Sequence, residues 1–358
     1  MPAPAQRPVF IEEPDPGLME RIRARKAALG KELLILTHHY QRPEIVALGD
    51  YRGDSFGLSQ KAAANREARF IVFCGVHFMA ESAAILSHPR QVVQIPDLRA
   101  GCLMADMADL ESVEMAWEEL TDAAGSDTII PIVYMNSDAQ LKAFCGRHGG
   151  TVCTSSNALT AVRWGLTQGD KVFFFPDQHL GRNVGNWLGL AEEDMIVWDP
   201  EEPLGGNSPE SVRRARLILW NGYCHVHTRF QVEHIREMRA AYPQAGIVVH
   251  PECTQEVVAR ADACGSTGFI VEYVKNAPPG ATIIVGTEIN LVRRLAMEYP
   301  DKEVLDLYYS LCPNMFRINL ENLLGTLEDP GRVNAVTVDE AIRAEARLAL
   351  ERMLALRG

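Results

Sequence analysis

Three segments of this 358-residue chain share one pattern, and each ends in a cysteine. They run from His38 through Ser55 to Cys102, from Asn136 through Ser155 to Cys224, and from His250 through Thr267 to Cys312. Each opens where a polar group follows an apolar, β-like run: LLILTHHY, TIIPIVYMN and AGIVVHPE. A hydroxyl follows 17, 19 and 17 residues later, in GDS, CTSS and GST, where a helix should begin. A further apolar run comes next, FIVFC, KVFFF or ATIIVG, and the cysteine comes last. Three copies packed around a pseudo-threefold axis would bring one cysteine from each to the centre. Three thiolates on a metal centre leave one coordination position for a substrate.

Short β-branched runs alternate with longer helical patterns, which predicts an α/β protein with parallel sheets. Strands are expected at 33–37, 70–74, 92–95, 129–134, 172–175, 218–220, 247–250 and 283–285. Helices are expected at, among others, 17–29, 56–67, 79–86, 158–165, 232–242, 254–261 and 291–299. A last one, over 339–356, has an apolar stripe at Ile342, Ala346, Ala349, Leu350 and Met353. The expected architecture is three similar αβα domains with small parallel sheets and the active site at their centre. Residues 1–110 form the first, 111–226 the second, and 227–358 the third with the C-terminal helix. The middle copy is longer; its excess, 199–216, carries Pro, Gly, Asn and Ser turn signals and reads as a surface insertion.

A net charge of −12 with no basic tract argues against nucleic acid and anionic membrane surfaces as partners. It leaves anionic small molecules open, because helix N-termini and hydroxyls bind them without lysine. No apolar stretch reaches the ~20 residues of a membrane span. The proline-rich start, MPAPAQRPVFIEEPDPG, lacks a hydrophobic signal core and reads as a partly ordered arm. A cytoplasmic location is expected, where disulfides are rare. The eight cysteines have long, irregular spacings and no C-x-x-C pair, so neither a disulfide framework nor a zinc ribbon is signalled.

In parallel α/β folds ligands bind beyond the carboxyl ends of the strands. His38, His39 and Tyr40, then Tyr134 and Asn136, then His250 and Glu252, all sit at such ends. Taken singly, Ser55, Ser155 and Thr267 read as helix N-caps; together, three helix starts would make an anion pocket. Cys74, Cys145, Cys153 and Cys264 read as buried small apolar groups. Cys102, Cys224 and Cys312 each sit at a break in pattern where a side chain can enter a cleft. Cys253 stands beside His250, not at the end of a copy, and is left out of the ligand set. Cys224, His225 and His227 permit a zinc hydrolase, although zinc wants four ligands or three plus water. Three thiolates from distant segments better suit a [4Fe–4S] cluster with one unique iron, catalytic or, alternatively, in a carrier or sensor.

Taken together, LTHHYQRPEI, GDSFGLSQKAA, VHFMAESAAIL, AGCLMADM, VYMNSDAQLKA, CTSSNA, FPDQHLGRNV, WNGYCHVH, HPEC, GSTGFIV, VGTEINLVRRL and CPNM resemble the quinolinate synthases, in order from about residue 33 to 315. The resemblance implies condensation of iminoaspartate with dihydroxyacetone phosphate to quinolinate, with loss of phosphate and two waters. It implies a [4Fe–4S] cluster on Cys102, Cys224 and Cys312, and substrate contacts from His38, Ser55, Tyr134, Asn136, Ser155, His250, Glu252 and Thr267. Tyr40 matches the family's proton-transfer tyrosine, and Tyr40, His250 and Glu252 are the candidate catalytic groups. An L-aspartate-oxidising enzyme that supplies iminoaspartate is the implied transient partner. Tyr309 stands where some relatives carry a second cysteine, so no thiol switch is expected there.

Overall fold

The computed structural model describes residues 14–356; the proline-rich N-terminal arm lies almost entirely outside them. The first unit contains α1 (Pro16–Leu29), β1 (Leu33–His38), α2 (Pro43–Val46), β2 (Tyr51–Gly53), α3 (Ser55–Ala64), β3 (Phe70–Cys74), α4 (His77–Leu86) and β4 (Val92–Gln94). The second contains α5 (Leu110–Ala124), β5 (Ile129–Tyr134), α6 (Ala139–Arg147), β6 (Thr151–Cys153), α7 (Ala158–Gln168), β7 (Lys171–Phe175), α8 (Gln178–Trp187), β8 (Met195–Trp198), α9 (Pro209–Arg214) and β9 (Leu217–Trp220). The third contains α10 (Val232–Ala241), β10 (Gly246–Val249), α11 (Gln255–Val258), β11 (Ala263–Cys264), α12 (Thr267–Asn276), β12 (Thr282–Gly286), α13 (Ile289–Glu298) and β13 (Glu303–Asp306), followed by α14 (Leu320–Glu328) and α15 (Glu340–Ala355).

Each unit forms one small parallel sheet, β2-β1-β3-β4, β6-β5-β7-β9-β8 and β11-β10-β12-β13, alike in their first three strands, with β8 added outside β9 in the middle one. The leading strand of each is buried along nearly its whole length, as expected of a parallel strand with helices on both faces. The fifth strand of the middle sheet is where the chain's extra length goes. Residues 199–216 carry a short 3-10 turn and α9, and the unit they begin to close is packed, not loose. Trp198 is buried against Gly205, whose φ of 61° and lack of a Cβ let the indole lie on the backbone. Buried Lys171 donates from Nζ to the carbonyls of Arg213 (2.6 Å) and Ala215 (2.8 Å).

Strand register refines the match between copies. His38 pairs with Gly53 and Tyr134 with Cys153, two residues before Ser55 and Ser155 respectively. One rung past the Val249–Cys264 pair lies His250, opposite Gly265 and two residues before Thr267. Tyr134, not Asn136, is therefore the counterpart of His38 and His250. Asn136 corresponds to Tyr40 and Glu252, each two residues further on. The connection through α6 is longer in the middle copy, and that shifted the spacing.

The helix expected over 254–261 forms only Gln255–Val258, because the chain must turn early to enter β11. The C-terminal helix forms as expected, and its stripe of Ala346, Ala349, Leu350 and Met353 is fully buried. It runs over α6 at Gly146, where an added Cβ would stand 2.0 Å from the Glu345 carbonyl oxygen. Arg343 and Arg347 hydrogen-bond the Ile85 carbonyl at the end of α4, so α15 bridges the first two units. No described helix is long and apolar enough to cross a membrane.

Replacing Gly146 by Ala forces α15 off α6. Overpacking of this kind costs about 1–3 kcal/mol, and urea unfolding of the variant should show a loss in that range.

Candidate active site

One cavity of about 720 Å³, mouth included, lies at the carboxyl ends of the three sheets. Its wall takes His38, Tyr40 and Ser55 from the first unit, Tyr134, Asn136 and Ser155 from the second, and His250, Glu252 and Thr267 from the third. Cys102, Cys224 and Cys312 line it as well. All twelve residues singled out in the sequence thus meet in one place, and no Lys or Arg is among the lining residues.

The three hydroxyls are not caps. Asp54 caps α3 by accepting from the Gly57 amide (2.8 Å), and Ser266 caps α12 by accepting from the Phe269 amide (3.3 Å). Ser55 and Thr267 are the first residues of their helices and face the cavity. Ser155 sits in a turn held by Asn157, whose side-chain oxygen accepts from the Thr154 amide (2.8 Å). Anion binding at such helix starts draws on free amides and the helix dipole.

Two of the four histidines that line the cavity, His38 and His250, repeat one local device. His38 Nδ1 accepts from the Tyr40 amide (3.2 Å), and His250 Nδ1 accepts from the Glu252 amide (3.4 Å). With Nδ1 an acceptor, the neutral ring carries its proton on Nε2. Burial holds His38 down to about 4 and His250 down to about 3, with nearby carboxylates opposing it. Both rings are thus neutral N–H donors at neutral pH. His39 takes no part: it is turned away, with Nδ1 on the Arg294 guanidinium at 3.0 Å.

A hydrogen-bonded chain crosses the cavity floor. Tyr134 donates to Glu252 Oε1 (2.5 Å), Glu252 Oε2 meets His227 Nδ1 (2.7 Å), and His227 Nε2 meets Thr287 Oγ1 (3.1 Å) and the Tyr40 hydroxyl (3.3 Å). Tyr40 and Thr287 close the chain at 2.6 Å. Burial pushes the Glu252 carboxyl up, but His227, His250 and the hydrogen bonds from His227 and Tyr134 outweigh it and hold the group below the usual range. Burial first, and Glu252 next, raise both phenols well above the usual range, so Tyr40 and Tyr134 keep their protons.

The cysteines stand at three similar turns. The Cys102 carbonyl accepts from Asp106 N (3.1 Å), that of Cys224 from His227 N (3.1 Å), and that of Cys312 from Met315 N (3.1 Å). Burial pushes the Cys102 thiol up to about 12 and raises Cys224 and Cys312. Backbone amides oppose this at every one of them: Ala105 and Met104 on Cys102, Val226 on Cys224, Met315 and Asn314 on Cys312. Three cysteines on one cavity wall offer thiolates that a metal centre would neutralise. Cys74, Cys145, Cys153 and Cys253 are buried in the packed cores instead. Donor atoms of Cys224, His227 and Glu252 also lie within 4.8 Å of one another. Both His227 nitrogens are already engaged, however, which does not favour the zinc set of Cys224, His225 and His227.

Thr287, Glu288 and Asp177 were missed in the sequence. Glu288 is fully buried, with its carboxyl pushed up to about 8 by burial, and Asp177 is buried with Oδ2 unpartnered. The signal was there: VGTEIN and FPDQ place polar residues straight after β12 and β7, at a second strand-to-helix turn of the copy.

A family model described as quinolinate synthetase A protein matches residues 20–355. Among similar proteins, the quinolinate synthase of Nocardioides sp. is 52% identical over 96% of this chain and 90% of its own. That of Corynebacterium glutamicum is 49% identical over 99% of this chain and 93% of its own. That of Streptomyces coelicolor is 50% identical over 96% and 89%.

The buried neutral histidines make the site acid-labile. Their folded values lie below the ordinary 6.5, so between that value and about 4 the unfolded chain binds more protons and stability falls as pH falls. Urea titrations of the metal-free protein should lose on the order of 1–2 kcal/mol per histidine between pH 7 and pH 5. His38→Asn should remove part of that slope.

Proposed function

Because the chain belongs to the quinolinate synthase family, we propose that it condenses iminoaspartate with dihydroxyacetone phosphate to quinolinate, releasing phosphate and two waters. The reading is carried by one observation: hydroxyls, neutral histidines, two phenols, a carboxylate and three cysteines from three units line a single cavity. Cys102, Cys224 and Cys312 are the residues that would hold a [4Fe–4S] cluster. When bound, that group supplies a Lewis-acidic iron with a position free of protein ligands for the loss of water.

The chain's own residues divide the remaining work. Ser55, Ser155 and Thr267, with the amides at the starts of α3 and α12, bind carboxylate and phosphate groups. Asn136 and the Nε2–H donors of His38 and His250 orient carbonyl and carboxylate oxygens. Tyr40 holds its proton at the hydroxyl and can deliver it to a leaving oxygen, while Thr287 and His227 fix the phenol's direction. Glu252, kept ionised, is the proton acceptor, and the Tyr134 and His227 hydrogen bonds orient its two oxygens. A closed cavity excludes water from reactive intermediates. Iminoaspartate comes, on this reading, from an L-aspartate-oxidising enzyme met transiently in the cytoplasm.

Anaerobic iron and sulfide analysis together with a quinolinate assay tests the proposal. Cys102→Ala, Cys224→Ala and Cys312→Ala should each lose iron and activity, whereas Cys74→Ala should keep both. Normal iron in all three ligand variants would remove the assignment.

Tyr40→Phe and Glu252→Gln should each lower turnover by about 10²–10⁴-fold, the usual contribution of a placed proton-transfer group. Their iron content should match that of the unsubstituted protein. Near-normal turnover in both would take them out of the mechanism.

A further inference from the structure

The four residues Thr287 to Asn290, at the start of α13, hydrogen-bond to Tyr40 and the Cys312 turn, and through Ser310 to the Cys224 turn, yet line none of the cavity. All four are buried, with exposures of 1%, 0%, 2% and 2%. Thr287 Oγ1 meets the Tyr40 hydroxyl at 2.6 Å, and Asn290 Nδ2 donates to the Tyr40 carbonyl at 3.0 Å. Tyr40 is thus gripped at both ends, by phenol and by backbone. Glu288 accepts from the Cys312 amide on Oε1 (3.4 Å) and from the Asn290 amide on Oε2 (2.7 Å). The Ile289 amide donates to the Ser310 carbonyl (2.9 Å), and Ser310 Oγ donates to the Val226 carbonyl (2.7 Å), inside the turn that begins at Cys224.

We propose that the buried segment Thr287–Asn290 is a positioning element shared by the acid–base site and the cysteine site, with Asn290 and Thr287 setting Tyr40 and Glu288 setting the turn of Cys312. The proposal rests on the function proposed above. The chemistry of the contacts makes each role specific. Each Glu288 oxygen faces one amide and can accept from it whether the carboxyl is protonated or ionised, whereas glutamine has one acceptor oxygen and must turn its NH₂ toward the other amide. Asn290 acts on Tyr40 through a donated hydrogen bond to a carbonyl, which alanine cannot replace. Neither residue touches substrate; each acts through another.

A double-mutant cycle tests the first half. Asn290→Ala should lower kcat at least tenfold with unchanged iron content, and should add nothing in a Tyr40→Phe background, because groups acting as a unit are non-additive. A loss in Asn290→Ala that is equally large in the Tyr40→Phe background overturns the positioning role, as does an unchanged kcat. The second half is read without turnover. Iron loss to a ferrous chelator, followed by the colour of the chelate, should be about tenfold faster in Glu288→Gln than in the unsubstituted protein and unchanged in Asn290→Ala, a factor within the usual range of couplings between sites. Equal rates in Glu288→Gln overturn it. Should Glu288→Gln not fold, the Asn290 cycle decides alone. Failure of the underlying reading shows differently: the unsubstituted protein would then bind no iron and sulfide or form no quinolinate.

Discussion

The structure depends on one buried carboxylate. Glu252 belongs to the third unit, but its partners are Tyr134 of the second and His227 from the turn after Cys224, and His227 passes the chain on to Tyr40 of the first. A buried charge without partners is costly, and breaking a buried pair costs about 3–5 kcal/mol. The three units must therefore dock in the one arrangement that satisfies Glu252. That same arrangement brings the three cysteines to a common wall. Docking of the units and assembly of the site are a single event, because both answer the same electrostatic demand.

On the proposed function, the cavity takes anions without a cation in its lining. Lys and Arg are absent from that lining, and His38 and His250, two of its four histidines, are neutral because burial strips their protons. Selection among anions then falls to directional donors: Nε2–H groups, hydroxyls and amides at the first turns of α3 and α12. Such donors reward the right geometry and do not attract every passing anion. A net charge of −12 across the chain is compatible with this economy, since local dipoles, not net charge, do the binding.

Quasi-symmetry explains how one copied pattern could yield different chemistry. The pairs His38 and Tyr40, Tyr134 and Asn136, His250 and Glu252 occupy matching rungs of three sheets. One backbone device thus presents six different side chains to one cavity, a donor or acceptor at each rung. Differences outside the pattern, such as the fifth strand of the middle sheet, are placed away from the strand ends and leave the site alone.

The amino-acid sequence alone determined the α/β class, eight of the thirteen described strands, the triple pattern and twelve of the lining residues. These are local signals: apolar runs of four to six residues, turn residues and breaks in pattern need no knowledge of the partner segment. Strands β2, β6, β8, β11 and β13 escaped, because each is a run of two to four residues at a sheet edge and forms only against the one strand beside it. Spacing alone also matched Asn136 to the wrong rung, since register is a property of paired strands. Whether a serine caps a helix or faces a cavity was decided by its neighbour, Asp54 or Ser266 taking the cap. Which histidine nitrogen carries the proton was decided by a backbone amide two residues on. Thr287 and Glu288 gained their places only from what the fold set against them, Tyr40 and the Cys312 turn. Residue type limits which hydrogen bonds a group can make; only tertiary packing decides which of them it does make, because the partners come from distant parts of the chain.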